Sequence, residues 1–298
     1  MKNDEADIAG LQGTRSGPVF LRIGGKGPPL LLLHGFPETS LMWREVAPLL
    51  LPDFTVIAAD LPGYGASDCP PMSEDHSSMS KRTMADTLVS AMRHLGFSRF
   101  AVAGHDRGGR VAYRMALDHP GVVTHVSVLD VIPTLEVWER ADARLALSFW
   151  PFSLLAQPAP LPEQLMLAAP GAVVDNALSQ WGSRPAVFSP QVRREYVAAI
   201  SDPEHVHAIC EEYRAAAYLD SEHDRADRND GHKIACKLLA LWSAKGAVAE
   251  WYEEAGGPLA LWRNWAEDVQ GQPIQAGHFF PEERPKETAA LLRSFLSM

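Results

Sequence analysis

The chain has 298 residues, 46% of them hydrophobic, which is enough to bury the core of one α/β domain with an insertion. A formal net charge of −10 argues against nucleic acid and anionic membrane as partners. The three cysteines, Cys69, Cys210 and Cys236, are odd in number and lack C-x-x-C spacing, so buried thiols in a reducing compartment are expected. Residues 1–17 are polar and mixed in charge, with no cationic start followed by an apolar stretch. No apolar run approaches the ~20 residues of a membrane helix, and a cytoplasmic protein is expected.

Short apolar segments alternate with helical patterns, as a mostly parallel sheet requires. The first strands are expected at 19–23 and 30–33. The second runs into His34-Gly35-Phe36-Pro37, a loop placed to supply a backbone N–H, that of Phe36, to an oxyanion hole. His34 is expected to be a structural polar group beneath that loop. A helix over 43–50, a strand over 55–59 and a helix over 83–95 follow.

The strand expected at 100–103 leads into Gly104-His105-Asp106-Arg107-Gly108-Gly109 and a helix over 110–119. Strand, glycine turn and helix form a nucleophile elbow, whose usual G-x-S-x-G form here carries Asp106 in place of serine. A carboxylate attacks carbonyl carbons poorly. It can displace a leaving group from saturated carbon to form an ester, which water then hydrolyses. Dehalogenation or epoxide opening is therefore expected, and lipase, esterase or peptidase activity is not. The N–H of Arg107, the residue after the nucleophile, would complete the oxyanion hole.

Arg107 and Arg110 lie in the first turn of the elbow helix, where cations are unfavourable. Breaking a local rule beside a nucleophile suggests function. Their i, i+3 spacing puts both guanidiniums on one side, suited to bind a small carboxylate by charge-assisted hydrogen bonds. The next strand, 126–131, contains Asp130, and an acid in an apolar run needs a partner. Strands at 238–242 and 273–276 follow. No acid occurs in Ser243-Ala244-Lys245-Gly246 after the first of them, which leaves Asp130 to orient the base. Gly277-His278-Phe279 follows the last strand, placing His278 to take a proton from water. A helix over 286–297, with Ala289, Leu292 and Phe295 at helical spacing, closes the chain.

The alternation breaks between about 134 and 231, where aromatic, leucine and proline residues abound without a clear strand. A helical cap over 134–231 is expected, inserted between core segments 1–133 and 232–298. The fold class is thus α/β, an α/β-hydrolase fold with a mostly parallel central sheet flanked by helices. Neither H-E-x-x-H nor a cysteine ligand set occurs, so no metal or other cofactor is expected.

Together these motifs resemble the fluoroacetate and haloacetate dehalogenases of the α/β-hydrolase superfamily over most of the chain. The resemblance is carried by His34–Pro37, Gly104–Arg110, Leu129-Asp130-Val131-Ile132-Pro133-Thr134, Leu155-Ala156-Gln157-Pro158-Ala159-Pro160, Glu212-Tyr213-Arg214-Ala215 and Gly277–Phe279. It implies Asp106 as nucleophile, Asp130 and His278 as its partners, Arg107 with Arg110 as a carboxylate clamp, and a homodimer. It also implies a cap pocket for the halide, formed by a His-Trp pair and a Tyr. Tyr213 matches the Tyr, and Trp181 matches a further pocket position. The His-Trp pair falls on Pro151-Phe152, neither of which offers a side-chain N–H. Trp150, adjacent, would point elsewhere. The resemblance therefore implies a small anionic 2-haloacid substrate, with chloride or bromide released more readily than fluoride. Epoxide hydrolysis uses the same triad but usually two cap tyrosines, and a non-catalytic carboxylate receptor would not need an intact triad.

Overall fold

The computed structural model describes residues 7–297. Eight strands form one sheet: β1 (Gln12–Ser16), β2 (Val19–Gly25), β3 (Pro29–Leu33), β4 (Thr55–Ala59), β5 (Phe100–His105), β6 (Val123–Leu129), β7 (Lys237–Ser243) and β8 (Val269–Ile274), in spatial order 1-2-4-3-5-6-7-8. β2 pairs antiparallel with β1 and β4, and every other pairing is parallel. Leu30 to Leu33 of β3 are fully buried, as expected of an unbroken apolar run in a strand covered on both faces. Burying each such leucine contributes about 1.5–3 kcal/mol.

The register positions the site. Leu33 pairs with Gly104, His105 with Leu129, and Leu129 with Leu241, so β3, β5, β6 and β7 end side by side. Loops leaving those carboxyl ends converge on one crevice, the usual ligand site of an open α/β sheet.

Several elements depart from the sequence reading, three of them away from the site. β1 has no apolar alternation to announce it and is an edge strand held by pairing with β2. β8 begins four residues before the expected 273–276, because its polar sequence VQGQPI lies at the opposite edge, where Pro273 costs no ladder bond to a further neighbour. The helix expected over 43–50 is a 3-10 turn, Ser40–Arg44, followed by a separate helix, Ala47–Leu50. Pro48 cannot sit inside a continuous helix but is tolerated in the first turn of a new one.

Among the described residues, those between 134 and 230 form helices and no strand. Helices Pro203–Ala215 and Ser221–Asp230 are joined by a single π turn, Ala216–Asp220. All three cysteines are free, but only Cys210 is fully buried, while Cys69 and Cys236 are half-buried. No helix among the described residues is long and apolar enough to cross a membrane.

Candidate active site

β5 passes directly into helix Asp106–Asp118, which begins four residues earlier than its sequence pattern suggests. A Cβ on Gly104 would lie 2.2 Å from the carbonyl oxygen of Gly108, and one on Gly108 would lie 2.4 Å from that of His34. Close approach therefore requires these glycines. The left-handed backbone falls on Asp106 itself, at φ 45°, a region that Asp tolerates better than most residues. Oδ2 of Asp106 accepts a hydrogen bond of 3.0 Å from the N–H of Phe36. Burial favours the neutral carboxyl, but His278 and Arg107, with the Phe36 N–H, hold its pKa below the ordinary value.

Asp130 follows the end of β6 and, like Asp106, has a positive φ, 55°. Its Oδ1 accepts from the Ser243 N–H at 2.8 Å, and its Oδ2 lies 2.6 Å from Nδ1 of His278. Donation from Nδ1 leaves Nε2 of His278 with its lone pair free, and this buried atom has no hydrogen-bond partner among the described residues. Aromatic rings frame the imidazole: Trp181 at 5.4 Å, Phe149 at 5.8 Å and Phe279 at 4.9 Å between centroids. Thus Asp106, Asp130 and His278, far apart in sequence, are brought to one place.

A second buried layer supports the base. Nε2 of His105 lies 2.9 Å from the carbonyl oxygen of His278, and Nδ1 lies 3.1 Å from Oε2 of Glu38. Burial lowers the His105 pKa and raises that of Glu38 to about 7. A neutral His105 donating from Nε2 and accepting at Nδ1 from a protonated Glu38 satisfies both bonds. Glu282, beside Glu38, accepts from Arg44 and, at 3.1 Å, from the Tyr196 hydroxyl. His34 has the structural place expected of it: Nε2 accepts from the Leu61 N–H at 2.9 Å, and Nδ1 lies 2.9 Å from the Gly35 carbonyl oxygen.

The two arginines differ. Arg110 lines the cavity above Asp106, with Nη1 bonded to the Ile132 carbonyl at 3.1 Å and to Thr134 Oγ1 at 3.2 Å. Arg107 lies behind the cavity wall, its Nε 2.9 Å from each carboxylate oxygen of Glu212. The Phe152 ring stands near both, with its centroid 5.6 Å from the Arg107 guanidinium carbon and 5.2 Å from that of Arg110.

The cavity has a volume of about 40 Å³, room for roughly three water molecules or a few heavy atoms of ligand. Its floor holds Asp106, Asp130, His278 and Arg110, and the helical stretch after residue 134 lines it with Val137, Leu145, Phe149 and Phe152. Of the expected halide residues, only Phe152 lines it. Pro151 is buried in helix Trp150–Leu154 away from the lining. Tyr213 lies over Arg107, with 4.0 Å between guanidinium carbon and ring centroid. The Trp181 indole N–H is taken by the Ser148 carbonyl at 3.0 Å, and that of Trp150 by Asn176 at 2.8 Å. Sequence reasoning missed the third wall, formed by Val248, Trp251 and Tyr252 after β7. The signal was an apolar and aromatic segment directly after a core strand.

The model of the alpha/beta hydrolase fold matches residues 28–285. A fluoroacetate dehalogenase from Burkholderia sp is 41% identical over 92% of this chain and 89% of its own. A soluble epoxide hydrolase from Corynebacterium sp. (strain C12) is 32% identical over 88% of this chain and 87% of its own. A solved protein from Nostoc sp PCC 7120, described as an alpha/beta hydrolase, superposes with a TM-score of 0.89 at 42% identity, covering 96% of this chain and 97% of that one. The chain belongs to the α/β-hydrolase family and is of its dehalogenase type.

Proposed function

We propose that the protein hydrolyses the carbon–halogen bond of small 2-haloacids, giving 2-hydroxyacids through an ester on Asp106. The observation that carries this reading is the meeting of three groups around one cavity. They are an ionised carboxylate with one oxygen fixed by Phe36, an unpartnered imidazole nitrogen, and the Arg110 guanidinium. The free oxygen of Asp106 attacks the halogen-bearing carbon, and the halide leaves with the bonding electrons. His278 Nε2 then takes a proton from water, and the resulting hydroxide adds to the ester carbonyl, whose carbon is Cγ of Asp106. Oδ2, already on the Phe36 N–H, becomes the oxyanion, and the Arg107 N–H is its second donor. Collapse releases the hydroxyacid and restores Asp106, and the proton on His278 returns to solvent. In this reading residues 134–231 act as a cap over core segments 1–133 and 232–298.

Phe152 offers the departing halide no N–H donor. Fluoride, small and strongly hydrated, needs hydrogen-bond donors most, so chloride and bromide are favoured. The cap residues lining the cavity include no tyrosine, which counts against epoxide opening by two cap phenols. The test is free halide release from chloro-, bromo- and fluoroacetate, with chloroacetamide as the neutral control. The reading expects release from chloro- and bromoacetate, little from fluoroacetate, and a drop of roughly ten-fold or more in kcat/KM for the amide, the equivalent of one lost charge-assisted bond. Arg110→Lys, which cannot present a planar fork, should raise KM for chloroacetate and leave the amide unaffected. Equal rates on acid and amide would remove the carboxylate clamp from the account.

A further inference from the structure

Arg107 is wholly buried, and the group that fixes it comes from the cap. Glu212, on helix Pro203–Ala215, accepts from Arg107 Nε and Nη2, and Tyr64 donates to the same carboxylate at 3.2 Å. A carboxylate bound so closely would by itself cancel the guanidinium charge and leave little for a substrate anion. A third group stands against that cancellation. The ammonium of Lys81, the first residue of helix Lys81–His94, pairs with Glu212 and lies 3.5 Å from Oδ2 of Asp220. The side chains of Arg107, Lys81, Glu212 and Asp220 are each no more than 2% exposed. Two cations thus face two acids out of water, and Nη1 of Arg107 is left without a hydrogen-bond partner among the described residues.

The backbone is shaped to make this cluster. Glu212 and Asp220 are eight residues apart on helices that run into one another through the π turn Ala216–Asp220. In an unbroken α-helix that separation turns side chains about 80° apart. A π turn takes up one extra residue and brings them to within about 20°, on one face. Asp220 also accepts from the Lys81 backbone N–H at 2.8 Å, which fixes where the lysine starts. Burial, and then the Arg107 charge, lower the Lys81 ammonium pKa, while Asp220 opposes them. With two carboxylates in contact, we take the charged form as the resident one.

We propose that Lys81 is a positioning residue for the substrate carboxylate: by holding Glu212 and Asp220 it leaves the charge of Arg107, behind the cavity wall, uncancelled and able to attract the acid group that Arg110 binds in the cavity. This rests on the haloacid reading above. The balance of charge makes it testable. Lys81→Met leaves one cation against two acids, and adding Glu212→Gln restores one against one. The first readout is equilibrium binding of glycolate, an unreactive small hydroxyacid, to the full-length protein by calorimetry. Lys81→Met should weaken glycolate binding by roughly ten-fold or more. The double variant should recover most of that loss, and Lys81→Arg should bind like the wild type. The second readout is chloride release: Lys81→Met should raise KM for chloroacetate far more than it lowers kcat, and leave chloroacetamide unaffected. A lysine that only docked the cap would give a double variant as weak as Lys81→Met or weaker, and that result overturns the proposal. If Lys81→Met does not fold, Glu212→Gln alone decides: binding at least as tight as wild type supports the proposal, and a ten-fold loss overturns it. Glycolate binding without halide release from any haloacetate would instead sink the haloacid reading and leave the role of Lys81 intact.

Discussion

The two sides of the cavity are built on opposite principles. On the core side almost every polar atom is fixed by a neighbour: Asp106 by the Phe36 N–H, Asp130 by Ser243 and His278, and His105 by Glu38 and the His278 carbonyl. The cap side presents apolar and aromatic surface, Val137, Leu145, Phe149 and Phe152, and reaches the chemistry through one acid, Glu212, that holds Arg107 from behind. In the proposed reaction the core sets which bond is broken, and residues 134–231 set which leaving group and which charge are accepted. Fixed polar groups cost no reorganisation during reaction, whereas an apolar wall can change its preference through single side chains.

The comparison breaks most severely at the nucleophile. Asp106→Asn should fold, since Asn tolerates a positive φ as Asp does. Its halide release should fall by on the order of 10⁴-fold or more, by analogy with nucleophile deletions in other hydrolases. An active Asn variant with an unchanged far-ultraviolet spectrum would mean the core side does not hold the nucleophile.

Changing the cap should act more selectively. Phe152→Trp, at the one position of the expected pair that lines the cavity, should raise fluoride release more than chloride release. A donor restored to a departing anion is worth up to about 2.7–4 kcal/mol, on the scale of oxyanion-hole donors. Ion-selective electrodes for the two halides measure the ratio. A proportional rise in both would show that position 152 acts on substrate binding and not on the leaving group.

The smallest effect concerns the buried layer beneath the base. The Glu38 pKa stands at about 7, raised above its ordinary 4.5 chiefly by burial. A buried acid of this kind favours folding while it stays neutral. Its contribution is complete below the unfolded pKa and is lost as pH rises from about 4.5 to about 7, to a total on the order of 3 kcal/mol. Asp224, also raised to about 7 by burial, acts with the same sign. Glu38→Gln should therefore gain stability relative to wild type between pH 5 and pH 8 in chemical denaturation, with the Asp224 part of the slope remaining. Parallel curves for the two proteins would assign the slope to other groups.

Much of the core side was legible in the sequence. An Asp between glycines after an apolar strand, an acid within an apolar run and a histidine after the last strand each violate a local expectation, and each lies in the site. The cap side was less legible because its contacts are tertiary. Nothing in the local pattern pairs Lys81 with Glu212, and the π turn that aligns Glu212 with Asp220 leaves no mark in hydrophobic spacing. Tyr213 and Trp181 were expected in the halide pocket from position alone. The neighbours that draw them away, Arg107 and Ser148, are known only from the fold. The wall of Val248, Trp251 and Tyr252 was not legible because apolar and aromatic residues after β7 read equally well as core. Edge strands β1 and β8 are polar and exist through pairing, which propensity does not record.

The central claim is that Asp106 forms a covalent ester which His278 helps water to hydrolyse. His278→Asn removes the base while keeping a side chain that can still donate toward Asp130. Incubated with chloroacetate and examined by intact-mass spectrometry, this variant should be heavier by the acid fragment. Peptide mapping should place the addition on Asp106, with one chloride released for each protein molecule. A folded variant that releases chloride stoichiometrically while remaining unmodified would contradict the ester, and modification at any other residue would contradict the choice of nucleophile.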